Sequence, residues 1–373
     1  MRRLVNRRRP QVGVVVPAYG VEAWLPYCLA SLIAQRHRAW TAVVVDDGSP
    51  DRCGEIAEEY AARDDRIRVV HTVNQGLGAA RNEGLRHLDT DYVAFLDSDD
   101  MLPPAAYSSM VSRLEATESD FVAASFQLWD EGKLQEPRWM RRLHREKRSG
   151  IRADEHPEIL GDVFAWDKLF TRSFWDAAGL SWPEGIHYED QPCTTAAYLR
   201  GRFDVVPDHV YRWRIRPNGT SITQQRASVP DLADRLESKR LSLALVRAEG
   251  TPGAQEVFLD RVLAGDMWRY FLELPNGDDE WWKLLREGVD ELWGDRSLVH
   301  SGLMPVHRLI GWLVQHDRRD EATAVAVFLS EGRSVPRTAD GAALDAAALP
   351  GLDASTIDPV ALRLRPHEVR SSD

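Results

Sequence analysis

The sequence predicts an α/β domain with a mostly parallel central sheet flanked by helices, followed by an all-helical C-terminal extension. Three observations carry this prediction. Short β-branched apolar runs recur through the first hundred residues, helical stretches alternate with them, and past residue 230 the apolar spacing turns helical throughout. Strands are expected at 11–16, 40–45, 66–70 and 92–96, because continuous apolar runs of this length suit strands buried on both faces. Helices are expected between them at 23–35, 52–63 and 77–87, and such alternation implies right-handed crossovers and parallel pairing. In open sheets of this kind ligands bind beyond the carboxyl ends of the strands. Pro17, Asp46-Asp47 and Asp97-Ser98-Asp99 all fall at such ends.

From residue 102 the pattern changes. A helix at 104–115 leads to a strand at 120–127, a basic stretch, an aromatic-rich segment at 164–182 and a final strand at 210–215. Helices follow near 231–248, 254–274, 279–292, 301–316 and 318–330, punctuated by Gly250, Pro252, Pro275, Gly277 and Gly294. The organisation read from this is a basic tail (1–10), two halves of one α/β domain (11–105 and 106–225) and a helical domain (226–332). The remainder (333–373), rich in Ala, Asp, Pro and Gly, reads as a tail of low order.

Bulk properties narrow the function. A chain of 373 residues can hold more than one core, and its net charge of −11 argues against a nucleic-acid partner, which a basic footprint would mark. Its three cysteines, Cys28, Cys53 and Cys193, are widely separated, which excludes a disulfide scaffold or a Cys-rich zinc site and fits a reducing cytosol. No segment approaches the roughly 20 apolar residues that span a bilayer. No apolar core follows Arg2, Arg3, Arg7, Arg8 and Arg9, so no secretory signal is read. The expected location is cytoplasmic. The Arg-rich start reads either as a solvated tail or as a peripheral contact with the inner face of an anionic membrane.

Three segments carry the chemistry. In an extended stretch Asp97 and Asp99 project to the same side, so they could share a Mg²⁺ or Mn²⁺ ion, with phosphate oxygens and water completing its shell. Such an ion would stabilise a departing diphosphate; the plainer reading is an acidic loop capping the next helix. Asp46-Asp47-Gly48-Ser49 also ends an apolar run, where a carboxylate can accept hydrogen bonds from a ribose or a base imide, or cap the helix that follows. Asn74 to Asn82, with Gly76 and Gly78, opens a helix whose free N–H groups suit an anion, and Arg81 lies one turn in, within reach of a phosphate. It lacks the third glycine of a dinucleotide fingerprint.

Together, Val-Val-Pro-Ala-Tyr (15–19), Val-Asp-Asp-Gly-Ser-Pro-Asp (45–51), Asn-Gln-Gly-Leu-Gly-Ala-Ala-Arg-Asn (74–82) and Phe-Leu-Asp-Ser-Asp-Asp (95–100) resemble the successive signatures of family 2 glycosyltransferases. Order and spacing match across 11–105, with weaker similarity to about 225. The resemblance implies the Rossmann-like GT-A fold, a nucleotide-sugar donor, a divalent metal at Asp97 and Asp99, and inversion at the anomeric carbon. It places Pro17, Tyr19, Asp47, Asn74 and Arg81 against uridine diphosphate, with Asp46, Gly78, Asp97 and Ser98 also on the donor side.

Inverting transfer needs one general base to take the acceptor's proton. The resemblance puts it at Tyr188-Glu189-Asp190, with Asp190 as the base and Glu189 beside it; the alternative is that the pair caps the helix after Pro192. Trp166, Lys168 and Tyr188 are candidates for the acceptor side, Trp166 either stacking on a sugar or filling the core. Arg214 and Arg216, with Ser221, resemble the strand and loop that close over the diphosphate. A basic stretch, Lys133, Arg138, Arg141, Arg142, Arg145, Lys147, Arg148 and Arg152, would attract an anionic polyol-phosphate acceptor or a membrane surface, or is simply solvated. The helical extension resembles those on enzymes that decorate wall teichoic acids, and self-association through it is a further expectation. A nucleotidyltransferase would need a Gly-rich basic loop after the first strand, where this chain has Ala18-Tyr19-Gly20-Val21-Glu22. A catalytically silent glycan-binding relative would be expected to have lost one of the acids that are present here.

Overall fold

The computed structural model describes residues 9–130, 132–216 and 226–369. The chain forms two compact units, Met1–Thr220 and Ser221–Asp373, and the expected change of domain at 225 lies outside the described residues.

Unit 1 is built on one nine-stranded sheet. Its first half follows the anticipated alternation: β1 (Val12–Ala18), α1 (Leu25–Ile33), β2 (Trp40–Asp47), α2 (Cys53–Ala61), β3 (Ile67–Thr72), α3 (Leu77–Arg86) and β4 (Tyr92–Phe95). β1 pairs in parallel with β2 and β4, and β2 with β3. All of β1 is buried, and in β2 only Thr41 is partly exposed, as helices on both faces require. Because β2, β1 and β4 lie side by side and run the same way, Asp46-Asp47, Ala18 and the acids after Phe95 come to one edge.

The second half is mixed, where a mostly parallel sheet was expected. It comprises α4 (Ala106–Thr117), β5 (Phe121–Asp130), β6 (Lys133–Gln135), α5 (Arg138–Leu143), β7 (Arg148–Ile151), β8 (Lys168–Thr171), α6 (Arg172–Ala177), α7 (Asp190–Arg200) and β9 (Phe203–Arg214). β8 is antiparallel to both β4 and β5, β6 to β5, and β7 to β9, while β5 and β9 are parallel. Antiparallel neighbours need no helical crossover, so nothing in the β–α alternation announces them. β7 and β8 are short and sit inside the basic and aromatic stretches, which hides them. β9 begins at Phe203 rather than 210, because Pro207, Asp208 and His209 interrupt its pattern and the pairing shifts register near Ser125.

Unit 2 is helical: α8 (Val229–Glu249), α9 (Pro252–Val257), a π-helical turn (Phe258–Leu263), α10 (Ala264–Phe271), α11 (Asp279–Trp293), α12 (Pro305–Gln315) and α13 (Arg319–Ser330). Ser228, Thr251 and Asp278 cap their helices through side-chain oxygens. The π turn divides what the spacing reads as one helix at 254–274. α12 starts at Pro305 instead of 301, since proline's missing N–H and fixed φ suit a first turn. Leu236, Phe258, Phe271, Trp281, Leu285 and Leu309 lie in the core.

Residues 333–369 are packed, which corrects the expectation of low order there. Leu344, Leu349, Ile357 and Leu364 are buried, and α14 (Pro359–Leu362) and α15 (Pro366–Val369) follow. Glu368 grips the buried Arg308 through both oxygens, Nη1–Oε1 at 2.6 Å and Nη2–Oε2 at 2.8 Å. Composition misses this because a few irregularly spaced apolar residues suffice to dock a segment on a core that others build. Burial alone would raise the Glu368 carboxyl, but Arg308 and the Arg365 N–H outweigh it and hold it at about 2, below its ordinary 4.5. A depressed carboxylate contributes stability above its unfolded pKa and loses it as pH falls through the folded one. Glu368→Gln should therefore destabilise unit 2 by about 2 kcal/mol near neutrality. In thermal melts the difference from wild type should shrink between pH 4.5 and about 2.

Candidate active site

The carboxyl edge of the sheet is assembled by its loops. Pro17 is buried at the end of β1, and Tyr19 just beyond is 52% exposed. The loop carrying Tyr19 is held by the segment after β2: Gly20 N–H donates to Ser49 Oγ (2.8 Å) and Glu22 N–H to Asp51 Oδ2 (2.8 Å). Gly48 has φ +65°, and a Cβ there would lie 2.8 Å from the Asn74 nitrogen, so only glycine lets these segments meet. Asn74 is exposed beside it.

Asp46 and Asp47, assigned from sequence to the nucleotide, are engaged by protein groups. Asp47 Oδ1 accepts from Thr72 Oγ1 and Gln75 N–H, both at 3.0 Å, and Oδ2 from Gly76 N–H at 2.9 Å. Asp46 accepts from Ser49 N–H (3.0 Å) and meets His71 Nδ1 at 2.9 Å. Their first task is to set the loops around the edge.

The acid cluster follows β4. Asp97 and Asp99 are partly exposed, whereas Ser98 and Asp100 are buried. Tyr211 Oη donates to Asp100 Oδ2 (2.8 Å) and accepts the Asp97 N–H (3.2 Å), and Arg214 N–H donates to Asp100 Oδ1 (2.7 Å). Asp100 and Tyr211 thus tie the acid loop to β9, a role no motif spacing reveals. Burial pushes the Asp97 carboxyl up to about 6 against the pull of Arg81, and pushes Asp100 well above its ordinary range.

Arg81 occupies the centre. Sequence reasoning gave it to a phosphate; instead its guanidinium is 1% exposed and bound to three carboxylates. Nη2 donates to Asp97 Oδ1 (2.9 Å), and Nη1 to Glu189 Oε1 (2.5 Å) and to Asp190 Oδ1. The Trp182 ring lies 5.0 Å from its guanidinium carbon. Neighbouring residues of α3 clamp the same incoming segment. Asn82 Nδ2 donates to Trp182 O and Glu184 Oε1, both at 2.8 Å, and its Oδ1 accepts the Trp182 N–H at 3.0 Å. Gly78, read as a donor-side residue, owes its identity to packing: a Cβ there would stand 2.0 Å from the Pro183 oxygen.

Glu189 and Asp190 start α7, but Glu189 makes no side-chain cap, so the capping alternative does not describe it. Its carboxyl is 3% exposed beneath Arg81, and burial together with the Asp190 charge raises it to about 8. Buried in that way it cannot face an acceptor, which corrects its place beside Asp190 as a reacting group. Asp190 keeps one edge toward solvent, with Oδ2 only 3.4 Å from the Ala165 N–H.

Arg214 and Arg216 sit on the acids. Arg216 Nε and Nη2 donate to Asp99 Oδ2 at 2.8 and 2.7 Å, and Arg214 Nε to the Asp99 carbonyl at 2.8 Å. Ser221 and Arg2, Arg3, Arg7 and Arg8 lie outside the described residues.

Two acceptor candidates turn out to be interior. Trp166 is 5% exposed and stacked on Tyr211 at 4.0 Å between centroids, so it fills the core. Lys168 is fully buried, its Nζ donating to Asp162 Oδ1 (2.9 Å), Asp167 Oδ1 (2.8 Å) and Phe164 O (2.7 Å). Tyr188 remains at the edge, with φ +65° turning the chain into α7. A cavity of about 520 Å³ lined by Leu85, Arg86, Arg172, Trp175, Trp182 and Glu184 contains none of the clustered acids, so the carboxylates define the site.

The donor set fits a divalent cation. Asp97 meets Arg81 through Oδ1 and Asp99 meets Arg216 through Oδ2, which leaves one hard oxygen on each. Among the described residues no group of three or more His, Cys, Asp or Glu is placed to hold a metal ion by itself, so protein groups would supply only part of the shell. Two carboxylates completed by phosphate and water are what Mg²⁺ or Mn²⁺ uses at nucleotide sites.

Residues 13–172 match the family model Glycosyl transferase family 2. The uncharacterized glycosyltransferase EpsJ of Bacillus subtilis (strain 168) is 31% identical over 251 residues, covering 66% of this chain and 72% of that protein. Among solved structures, S. aureus TarS 1–349 in complex with UDP-GlcNAc superposes with a TM-score of 0.69 at 21% identity, covering 87% of this chain and 92% of that one. The mannosyltransferase PcManGT from Pyrobaculum calidifontis, in complex with GDP-Man and Mn²⁺, gives 0.51 at 18% identity, covering 88% and 89%. Both structures share the GT-A fold described here.

Arg81→Met should cost about 3–5 kcal/mol of stability, because it strands buried carboxylates; chemical denaturation checks this. Gly78→Ala should leave the fold but displace residues 182–190, cutting turnover while nucleotide affinity, measured by calorimetry, changes little. Lys168→Ala should act on unfolding midpoint and not on acceptor KM.

Proposed function

The chain belongs to glycosyl transferase family 2, and on that premise we propose that it moves a sugar, with inversion, from a uridine diphosphate sugar to a hydroxyl of a glycan or polyol-phosphate chain. The observation that carries this reading is the bridge through Arg81. One buried guanidinium holds Asp97, on the diphosphate side, and Asp190, on the acceptor side, in a single rigid group. The choice of uridine is supported by the UDP-GlcNAc complex of TarS, and that of a divalent metal by the Mn²⁺ complex of PcManGT.

Asp190 is the base in this scheme. Its Oδ1 is anchored by Arg81 and its other oxygen takes the acceptor's proton, while the hydroxyl oxygen attacks the anomeric carbon. The bond from that carbon to the diphosphate breaks, and its electron pair leaves with uridine diphosphate. A divalent cation held by Asp97 and Asp99 would supply positive charge against the departing group. Arg216, already at Asp99, adds a second positive charge beside it. Tyr19 and Asn74, which are exposed, line the nucleotide, and the buried Pro17 and Asp47 shape the loops behind them. Glu189 positions Arg81 from behind and keeps the group buried.

Product release from a panel of nucleotide sugars with Mn²⁺ tests the reading. Asp190→Asn should lower turnover about 10²–10⁴-fold with uridine diphosphate affinity retained, whereas Asp99→Asn should also weaken the metal requirement. Undiminished turnover in both variants would sink it.

A further inference from the structure

The β6–α5 excursion of unit 1 presents a surface that the proposed reaction leaves idle. Lys133, Arg138, Arg142, Arg145 and Lys147 are exposed there, and none makes an ion pair among the described residues. Of the described acids around them, Glu136 is taken by Arg141 (2.7 Å) and His209 (3.3 Å), Glu146 by Arg148 (3.2 Å), and Asp130 stands opposite Lys133 across the β5–β6 pair, so the cations remain in excess. In a chain whose net charge is −11, an uncompensated group of cations is segregated charge rather than average surface.

The same excursion also exposes apolar groups. Met140 and Leu143 point α5 into the core, which leaves Arg138, Trp139, Arg141 and Arg142 outward. Trp139 is 37% exposed, one side packed near Phe126 (6.0 Å between centroids) and Phe164 (5.9 Å). On β6, Leu134 is 43% exposed.

We propose that this surface docks the protein on an anionic bilayer. Cations alone would suit any polyanion, a phosphate-rich polymer included. An exposed leucine and a half-packed tryptophan gain nothing from such a polymer, whereas the interface of a bilayer takes tryptophan at the headgroup level and apolar side chains just beneath. The anionic leaflet attracts the lysines and arginines over roughly one Debye length. No described helix is long and apolar enough to cross a membrane, so contact through this face is peripheral.

Co-sedimentation of the full chain with vesicles of phosphatidylcholine, or of phosphatidylcholine mixed with phosphatidylglycerol, tests the proposal. The protein should bind the mixed vesicles and be released by salt, and should pass over phosphatidylcholine alone. The combined variant Arg138→Glu, Arg142→Glu, Lys147→Glu should lose binding by about tenfold or more, and Leu134→Ser should weaken it several-fold. Both variants should keep the wild-type melting curve and nucleotide-sugar turnover, which separates a docking defect from a failed active site. Failure to bind either vesicle, or equal binding to both, would overturn the proposal. So would Leu134→Ser vesicle binding equal to wild type combined with full displacement by inorganic polyphosphate, since the surface would then be a polyanion site.

Discussion

The interaction on which the rest of unit 1 depends is the buried contact of Arg81 with Asp97, Glu189 and Asp190. A guanidinium that is 1% exposed has surrendered its water, and only charge-assisted hydrogen bonds of good geometry can offset that loss. Its planar fork reaches acids from two places in the chain more than ninety residues apart. The consequence is geometric. The loop after β4 and the start of α7 cannot move separately, and Gly78 and Asn82 on the same helix extend the grip to Trp182, Pro183 and Glu184. What reads locally as an anion-binding helix start is mainly a clasp between the two halves of the domain.

A second polar group braces the second half of the sheet. Lys168, Asp162, Asp167, His144 and Tyr198 form a buried cluster, with His144 Nε2 3.0 Å from Asp162 Oδ2, Tyr198 Oη donating to the same oxygen at 3.2 Å, and Asp167 Oδ2 left without a partner. Such a network fixes β8 and the chain before it, because any shift would leave a buried charge unpaired. Trp166, stacked on Tyr211, connects it to the hydroxyl that supports Asp97 and Asp100. The acid loop is thus held from below by Tyr211 and from the side by Arg81. Asp97, Asp99, Asp100, Glu189 and Asp190 crowd around Arg81, Arg214 and Arg216, and burial raises Asp97, Asp100 and Glu189 toward their neutral forms.

Where sequence and structure part, the reasons are physical. Asp97 and Asp99 sit where strand-end logic puts them, because a parallel strand delivers whatever follows it to one edge. Trp166 and Lys168 follow no such rule: a motif position records what residue is present, not whether its side chain turns to the cleft or to the core. Arg81 is the sharper case. One turn into a helix that faces an anion, it could serve a phosphate, and only residues a hundred positions later show that carboxylates occupy it. The packing of 333–369 escaped for a similar reason, since its partner Arg308 belongs to a different helix.

By itself the sequence determined the class of sheet in the first hundred residues, the edge at which the acids gather, the family and the pair of acids that could hold a metal. All of these are carried by local periodicity and by strand ends, which short-range residue patterns encode. Tertiary structure alone decided that Arg81 joins Asp97 to Glu189 and Asp190, that Glu189 is buried while Asp190 keeps an open edge, and that the second half of the sheet is mixed. Each of these depends on contacts between segments far apart in the chain, where burial and charge balance choose the partner and local spacing carries no record of the choice.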